Sequence, residues 1–199
     1  MYEVEVKLPA DHAGVRERLA ELGAESLGTV TQRDTYYDAP HREFAETDEA
    51  LRIRRVRGDD GGETLVTYKG PLVDADSKTR REHETGVAED ETMDEILRAL
   101  GFRPAAVVEK DRERFPLGEY TVTLDAVTDL GEYVEVETES AAVDDAREGV
   151  FALVRDLGLD PDDQIRTSYL GLLLARDDAN GTGGDDGRDA GVDVGTDTT

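Results

Sequence analysis

The 199 residues contain no cysteine, which excludes disulfides, thiolate catalysis and cysteine-ligated zinc. Histidine is limited to His12, His41 and His83, too scattered for a zinc cluster. His41 reads as a loop or surface residue, and His83 as structural or solvated. No apolar run is long enough to cross a bilayer, and the N-terminus enters a charged strand directly instead of an apolar signal region. A soluble cytoplasmic protein without a membrane partner is the expectation. Positive charge is also scarce: 23 Lys plus Arg stand against 48 Asp plus Glu, for a net charge of -25. Such a surface repels nucleic acid, so no nucleic-acid partner is expected. High acidity with abundant Asp and scarce Lys resembles halophilic proteins adapted to a salt-rich cytoplasm, where ionic strength screens the repulsion. Gly58 to Gly62 lacks the lysine and hydroxyl residue of a phosphate-binding P-loop and reads as a turn.

What is present is charge at a period of two. Glu3, Glu5 and Lys7 alternate with Tyr2, Val4, Val6 and Leu8, which puts two carboxylates and an ammonium on one face of a strand. The same alternation recurs in Arg52 and Arg54, in Arg80, Glu82 and Glu84, in Lys110 and Arg112, and in Glu135 and Glu137. A solvated sheet face explains any one of these groups. Converging faces would instead form a polar cavity, with carboxylates suited to a hard divalent cation such as Mg2+ or Mn2+ and cations suited to phosphate. A metal polyphosphate is the natural occupant. Tyr36 and Tyr37 read as packing groups.

Turn and helix signals divide the chain into short elements. Asp11 caps a helix over 12–22 that Gly23 stops. Strands are expected over 29–37, 51–56, 64–69, 79–87, 107–115, 120–124 and 133–138, with turns at 38–40 and 116–118. Further helices are expected over 92–100 and 143–157, the latter loosened at Gly149, before a packed segment from Tyr169 to Leu174. These elements give an α+β protein whose antiparallel sheet, closed as an eight-stranded β-barrel with helices packed outside, removes its own edges and encloses the charged groups. One domain is expected over 1–176, followed by an acidic, disordered tail over 177–199.

Glu3-Val4-Glu5-Val6-Lys7, Arg52-Ile53-Arg54, Lys69 in Tyr-Lys-Gly-Pro, Lys110-Asp111-Arg112 and the stretch from Asp125 to Glu137 together resemble the CYTH family, the triphosphate tunnel metalloenzymes. The resemblance covers roughly Met1 to Leu174. It implies an eight-stranded triphosphate tunnel with metal ligands Glu3, Glu5, Glu135 and Glu137. Lys7, Arg52, Arg54, Lys69, Arg80, Lys110 and Arg112 would be the substrate-binding cations. Glu5, Lys69, Arg112 and Asp125 are the catalytic candidates, Asp125 orienting a cation or water. The late Leu124-Asp125 and Leu130-Gly131-Glu132-Tyr133 segments resemble the class IV adenylate cyclase branch, which implies conversion of ATP to cyclic AMP and pyrophosphate. Thiamine triphosphatase or inorganic triphosphatase activity is the alternative, and a noncatalytic triphosphate-binding module the second. Dimers in the family make a homodimer an option.

Overall fold

Alternation along β1 (Tyr2–Pro9) sends Val4, Val6 and Leu8 to one face and Glu3, Glu5 and Lys7 to the other, and Lys7 is as deeply buried as the apolar residues beside it. A strand covered on both faces is the organising fact of the fold. The computed structural model describes residues 2–59, 61–73 and 78–181. After β1 come α1 (His12–Glu21), β2 (Thr29–Asp38), α2 (Phe44–Thr47), β3 (Ala50–Gly58), β4 (Gly61–Lys69), β5 (Lys78–Arg80) and β6 (Glu82–Gly86). Then follow α3 (Asp90–Ala99), β7 (Arg103–Leu117), β8 (Tyr120–Val127), β9 (Gly131–Ser140), α4 (Val143–Asp156) and α5 (Tyr169–Gly181).

The strands form one antiparallel sheet in the order β5-β1-β9-β8-β7-β2-β3-β4-β6. Its two ends are consecutive in sequence, because only Arg81 separates β5, which pairs with β1, from β6, which pairs with β4. The sheet therefore curls into a nearly closed barrel. The expected eight strands become nine because the segment expected to run unbroken over 79–87 is interrupted at Arg81, whose carbonyl accepts from Gly70 N–H at 2.9 Å. That bond diverts the chain from one neighbouring strand to the other.

Helices cover the outer face where it is apolar. Val4, Val6, Leu8, Val122, Leu124, Val134 and Val136 from β1, β8 and β9 pack against Val15 and Leu19 of α1 and Val150, Leu153 and Val154 of α4. Each such side chain contributes about 1.5–3 kcal/mol on burial, so this layer supplies much of the driving force that holds the charged inner face in place. Asp11 caps α1 as expected, accepting from Gly14 N–H at 3.0 Å. α3 sets Leu97 and Met93 over Ile53 and Leu51 of β3.

Several boundaries differ from the sequence reading. β7 runs over 103–117 and absorbs Pro116, which was expected to open a turn. α3 starts at Asp90, two residues before Thr92. α4 is continuous through Gly149, where a Cβ would lie 2.0 Å from Tyr120 Oη. The glycine admits the tyrosine and does not loosen the helix. α5 crosses the expected boundary at 176 and continues to Gly181; the rest of the expected tail, 182–199, lies outside the described residues. Among the described residues no helix is long and apolar enough to cross a membrane.

Candidate active site

Strand parity delivers the charged residues to the barrel interior. Glu3, Glu5 and Lys7 of β1, Arg52 and Arg54 of β3, Lys110 and Arg112 of β7, and Glu135 and Glu137 of β9 all line one cavity of about 240 Å³, joined by Lys69, Arg80, Glu82 and Glu84. In the barrel interior the carboxylates divide into two sets with different partners.

In the first set, Glu5 of β1 faces Glu137 of β9 across the ladder. Oxygens of Glu3, Glu5 and Glu137 lie within 4.8 Å of one another. Lys69 Nζ donates to Glu3 at 3.2 Å and also pairs with Glu82. Burial raises Glu3 above the ordinary carboxylate range, with Lys69 opposing and Glu82 reinforcing the shift. Glu137 is pushed up to about 7 by burial and by the neighbouring Glu3. Three oxygen donors converging without a guanidinium between them match a hard divalent cation such as Mg2+ or Mn2+ in donor type, and a thiophilic metal finds no ligand here.

The second set is committed to arginine. Asp34 of β2 accepts from Arg54 Nε and Nη2 at 2.7 and 2.6 Å and from Arg52 Nη1 at 3.3 Å. Burial alone would raise Asp34, but Arg52 and Arg54 overcome it and hold the carboxyl well below its usual range. On the same run of strands, one strand beyond β7, Asp125 of β8 accepts from Lys110 Nζ at 2.8 Å and from Arg112 Nε and Nη2 at 2.7 and 2.6 Å. The same Arg112 donates to Glu135. Burial opposes ionisation of Asp125 and Glu135, yet Arg112 and Lys110 pull both below the ordinary value. Glu135, expected among the metal ligands, is thus held by Arg112 and stands apart from the three-carboxylate cluster. Asp125 is completely buried behind the cations it orients.

These acids set the posture of the cations. A guanidinium carries five N–H donors in a planar fork, so a bidentate bond to Asp34 or Asp125 fixes its plane while leaving further donors for a phosphoryl oxygen. Lys110 is lowered to about 8 by burial and by crowding from Arg112, against the pull of Asp125, and an anion bound beside it would favour its charged form. Arg80 donates to the backbone and side chain of Asp48 at 2.6 and 2.9 Å. Lys7 Nζ donates to the Thr167 carbonyl at 2.7 Å and lies 4.1 Å from the centre of the Tyr169 ring.

Asp34, Gln32 and Arg114 also belong to this interior and were not singled out in the sequence. Gln32 and Arg114 line the cavity, and Asp34 stands on the same face of β2 as Gln32. Their signal was present, since Gln32, Asp34 and Tyr36 share one parity and Arg114 continues that of Lys110 and Arg112. It was obscured on β2 by polar residues of the other parity, Thr31 and Arg33, which face outward and pair with Asp111 and Glu109. The histidines stay out of the site: His41 and His83 are exposed, and buried His12 lies 3.0 Å from the Tyr133 carbonyl.

Known proteins share this arrangement of strands. The chain is 37% identical over 176 residues, 86% of its length and 98% of the relative's, to a Methanocaldococcus jannaschii protein provisionally named an adenylate cyclase. It is 28% identical over 145 residues to the adenylate cyclase CyaB of Aeromonas hydrophila, covering 71% of this chain and 72% of that one. The solved structure of the PH1819 protein from Pyrococcus horikoshii superposes with a TM-score of 0.81 at 39% identity, covering 87% of this chain and 99% of the other. Residues 1–169 match the CYTH domain, and the chain belongs to that family.

Proposed function

We propose that this protein is a divalent-metal-dependent enzyme that breaks a phosphoanhydride bond of a triphosphate, and that its reaction is the conversion of ATP to cyclic AMP and pyrophosphate. The observation that carries the reading is the division of one barrel interior into a three-carboxylate cluster, Glu3, Glu5 and Glu137, and a contiguous wall of arginine and lysine on β3 and β7 anchored on Asp34 and Asp125. A triphosphate and its counter-cation need both parts. The cyclase reaction is supported by the names of the two relatives above.

When bound at the carboxylate cluster, Mg2+ or Mn2+ would lower the pKa of the attacking hydroxyl and neutralise phosphate charge. Arg52, Arg54 and Arg112 would grip non-bridging phosphoryl oxygens bidentately, and Lys110 would add a point charge. Because Asp34 and Asp125 already hold these groups, little reorganisation is needed as charge moves onto the leaving phosphate, the condition under which electrostatic stabilisation is largest. Lys69, paired with Glu3 and Glu82, would add an ammonium beside the carboxylate cluster. In the cyclase reaction the ribose 3′ oxygen bonds to the α-phosphorus, the α–β anhydride bond breaks, the hydroxyl proton passes to solvent and pyrophosphate leaves.

A second reading is favoured by the cavity lining. It is dominated by charged groups; its aromatic members are Tyr36 and Tyr169, both packed into one apolar cluster. This lining favours the phosphate chain over a base. Attack by water on a terminal phosphorus would then release orthophosphate from tripolyphosphate or thiamine triphosphate. Product analysis with ATP, thiamine triphosphate and tripolyphosphate, in high salt with Mg2+ or Mn2+, decides. Cyclic AMP with equimolar pyrophosphate supports the cyclase, orthophosphate without cyclic AMP the triphosphatase. Tight binding with every substrate recovered intact would leave a noncatalytic binding module.

A further inference from the structure

The interior of the barrel changes character at one end. Stepping along each strand at constant parity, Asp34 gives way to Tyr36, Arg52 to Ala50, Lys110 to Val108, Asp125 to Val127 and Glu135 to Tyr133. These five replacements form one apolar cluster, completed from below by Tyr169, Leu170, Leu172 and Leu173 of α5. The cavity is therefore blind at this end, while Glu63, Glu84 and Arg114, all exposed, line it elsewhere and mark an open mouth. The floor is held rigidly. Ile165 N–H donates to the Lys7 carbonyl at 2.7 Å and Lys7 Nζ donates to the Thr167 carbonyl. The Tyr169 ring packs 5.1 Å from that of Tyr133, with Lys7 and Lys110 ammoniums 4.1 and 4.8 Å from its centre.

One polar atom on this floor is unexplained. The Tyr169 hydroxyl is buried in the cavity lining with no hydrogen-bond partner among the described residues, and leaving a buried hydroxyl unpaired is costly unless a ligand completes it. Burial, reinforced by Glu135 and Asp125, keeps the phenol protonated, so it is available as a donor and not as an anion. Tyr169 also opens α5, a helix of 13 residues whose positive N-terminal end, including Ser168, Tyr169 and Leu170, borders the cavity.

We propose that this closed end seats the free terminal phosphoryl group of the substrate, with Tyr169 Oη donating to it beside Lys110 and the start of α5. The proposal rests on the triphosphate reading above and adds a direction to it: the phosphate chain enters unsubstituted end first, and any organic substituent stays toward the mouth. Tyr169 is then a specificity residue that selects substrates with at least one uncapped phosphate terminus.

Calorimetric titration of the full chain with tripolyphosphate, ATP and P1,P3-diadenosine triphosphate, each with Mn2+, tests this without depending on turnover. The wild type is expected to bind the first two and reject the third, whose phosphate chain is capped at both ends. Tyr169→Phe keeps the ring and removes only the donor. It should weaken tripolyphosphate and ATP by about tenfold or more, the worth of a hydrogen bond to a charged group, with a melting temperature no lower than that of the wild type. Equal binding of diadenosine triphosphate and ATP, or wild-type affinity in Tyr169→Phe, overturns the proposal while leaving the triphosphate reading standing. Failure of the wild type to bind any of the three overturns both.

Discussion

Two sets of acids share the barrel interior and behave in opposite ways. Asp34, Asp125 and Glu135 each touch a guanidinium and are driven toward ionisation. Glu3 and Glu137 lie near Glu5, and both are driven toward protonation by burial and neighbouring carboxylates, with Lys69 opposing at Glu3 and Arg112 at Glu137. The arginine-paired acids are the more deeply buried and are nevertheless the ones driven toward ionisation, so burial does not decide the difference; the nearest partner does. The arginine-paired acids already have their counter-charge and act as struts for the phosphate-binding cations. The glutamate cluster is only partly neutralised, through Lys69 on Glu3, and is where an external cation gains most.

The contrast can be broken from either side. The largest effect is expected from Asp125→Ala, which strands Lys110 and Arg112 in the interior. Losing one member of a buried ionic network costs about 3–5 kcal/mol, to be read from urea unfolding. Glu5→Gln should leave urea stability near the wild-type value, since it removes a repelled charge, yet lower turnover by roughly 10²–10³-fold through loss of the metal and the electrostatic stabilisation it brings. If Glu5→Gln unfolds the protein as readily as Asp125→Ala, the two sets are not distinct. Next in size is the stabilisation by metal itself. Mn2+ at a hundredfold excess over its Kd should add about 2.7 kcal/mol to the unfolding free energy of the wild type, and this increment should vanish in Glu5→Gln.

A pH dependence is expected from Glu137. Folding raises its pKa from 4.5 to about 7. A carboxyl raised in this way favours the native state fully below about 4.5, and the advantage is lost as pH rises through about 7. Metal affinity runs the other way, because binding needs the carboxylate: it should rise toward a plateau above about pH 7, by up to tenfold per unit below it. Glu137→Gln should flatten both profiles. A metal affinity that stays constant between pH 5 and 8 in the wild type would remove Glu137 from the ligand set.

How far these roles were visible beforehand differs between the two sets. Glu3, Glu5 and Glu137 were legible because period-two alternation against Val4, Val6, Val134 and Val136 marks a charged strand face whose reverse is core. Asp34 was not, because β2 carries polar residues on both faces, and only the ladder with β3 and β7 tells which face is inside. Glu135 shares the parity of Glu137, which puts both on one carboxylate face, and the family resemblance implies a metal role for both. Their separation depends on Arg112, which reaches Glu135 across the intervening β8, a contact that sequence spacing does not encode.

Composition and periodicity therefore determined the fold class, the charged interior and the identity of most of its residues, since alternation is local and survives in the linear chain. Tertiary structure decided the rest: the break at Arg81 that joins the two sheet ends, the sorting of carboxylates into struts and candidate ligands, and the sealing of one end by Tyr169. Each of these depends on which residues from distant strands meet at a given level of the barrel. That level is set by strand stagger and closure, which belong to the assembled sheet and to no single segment.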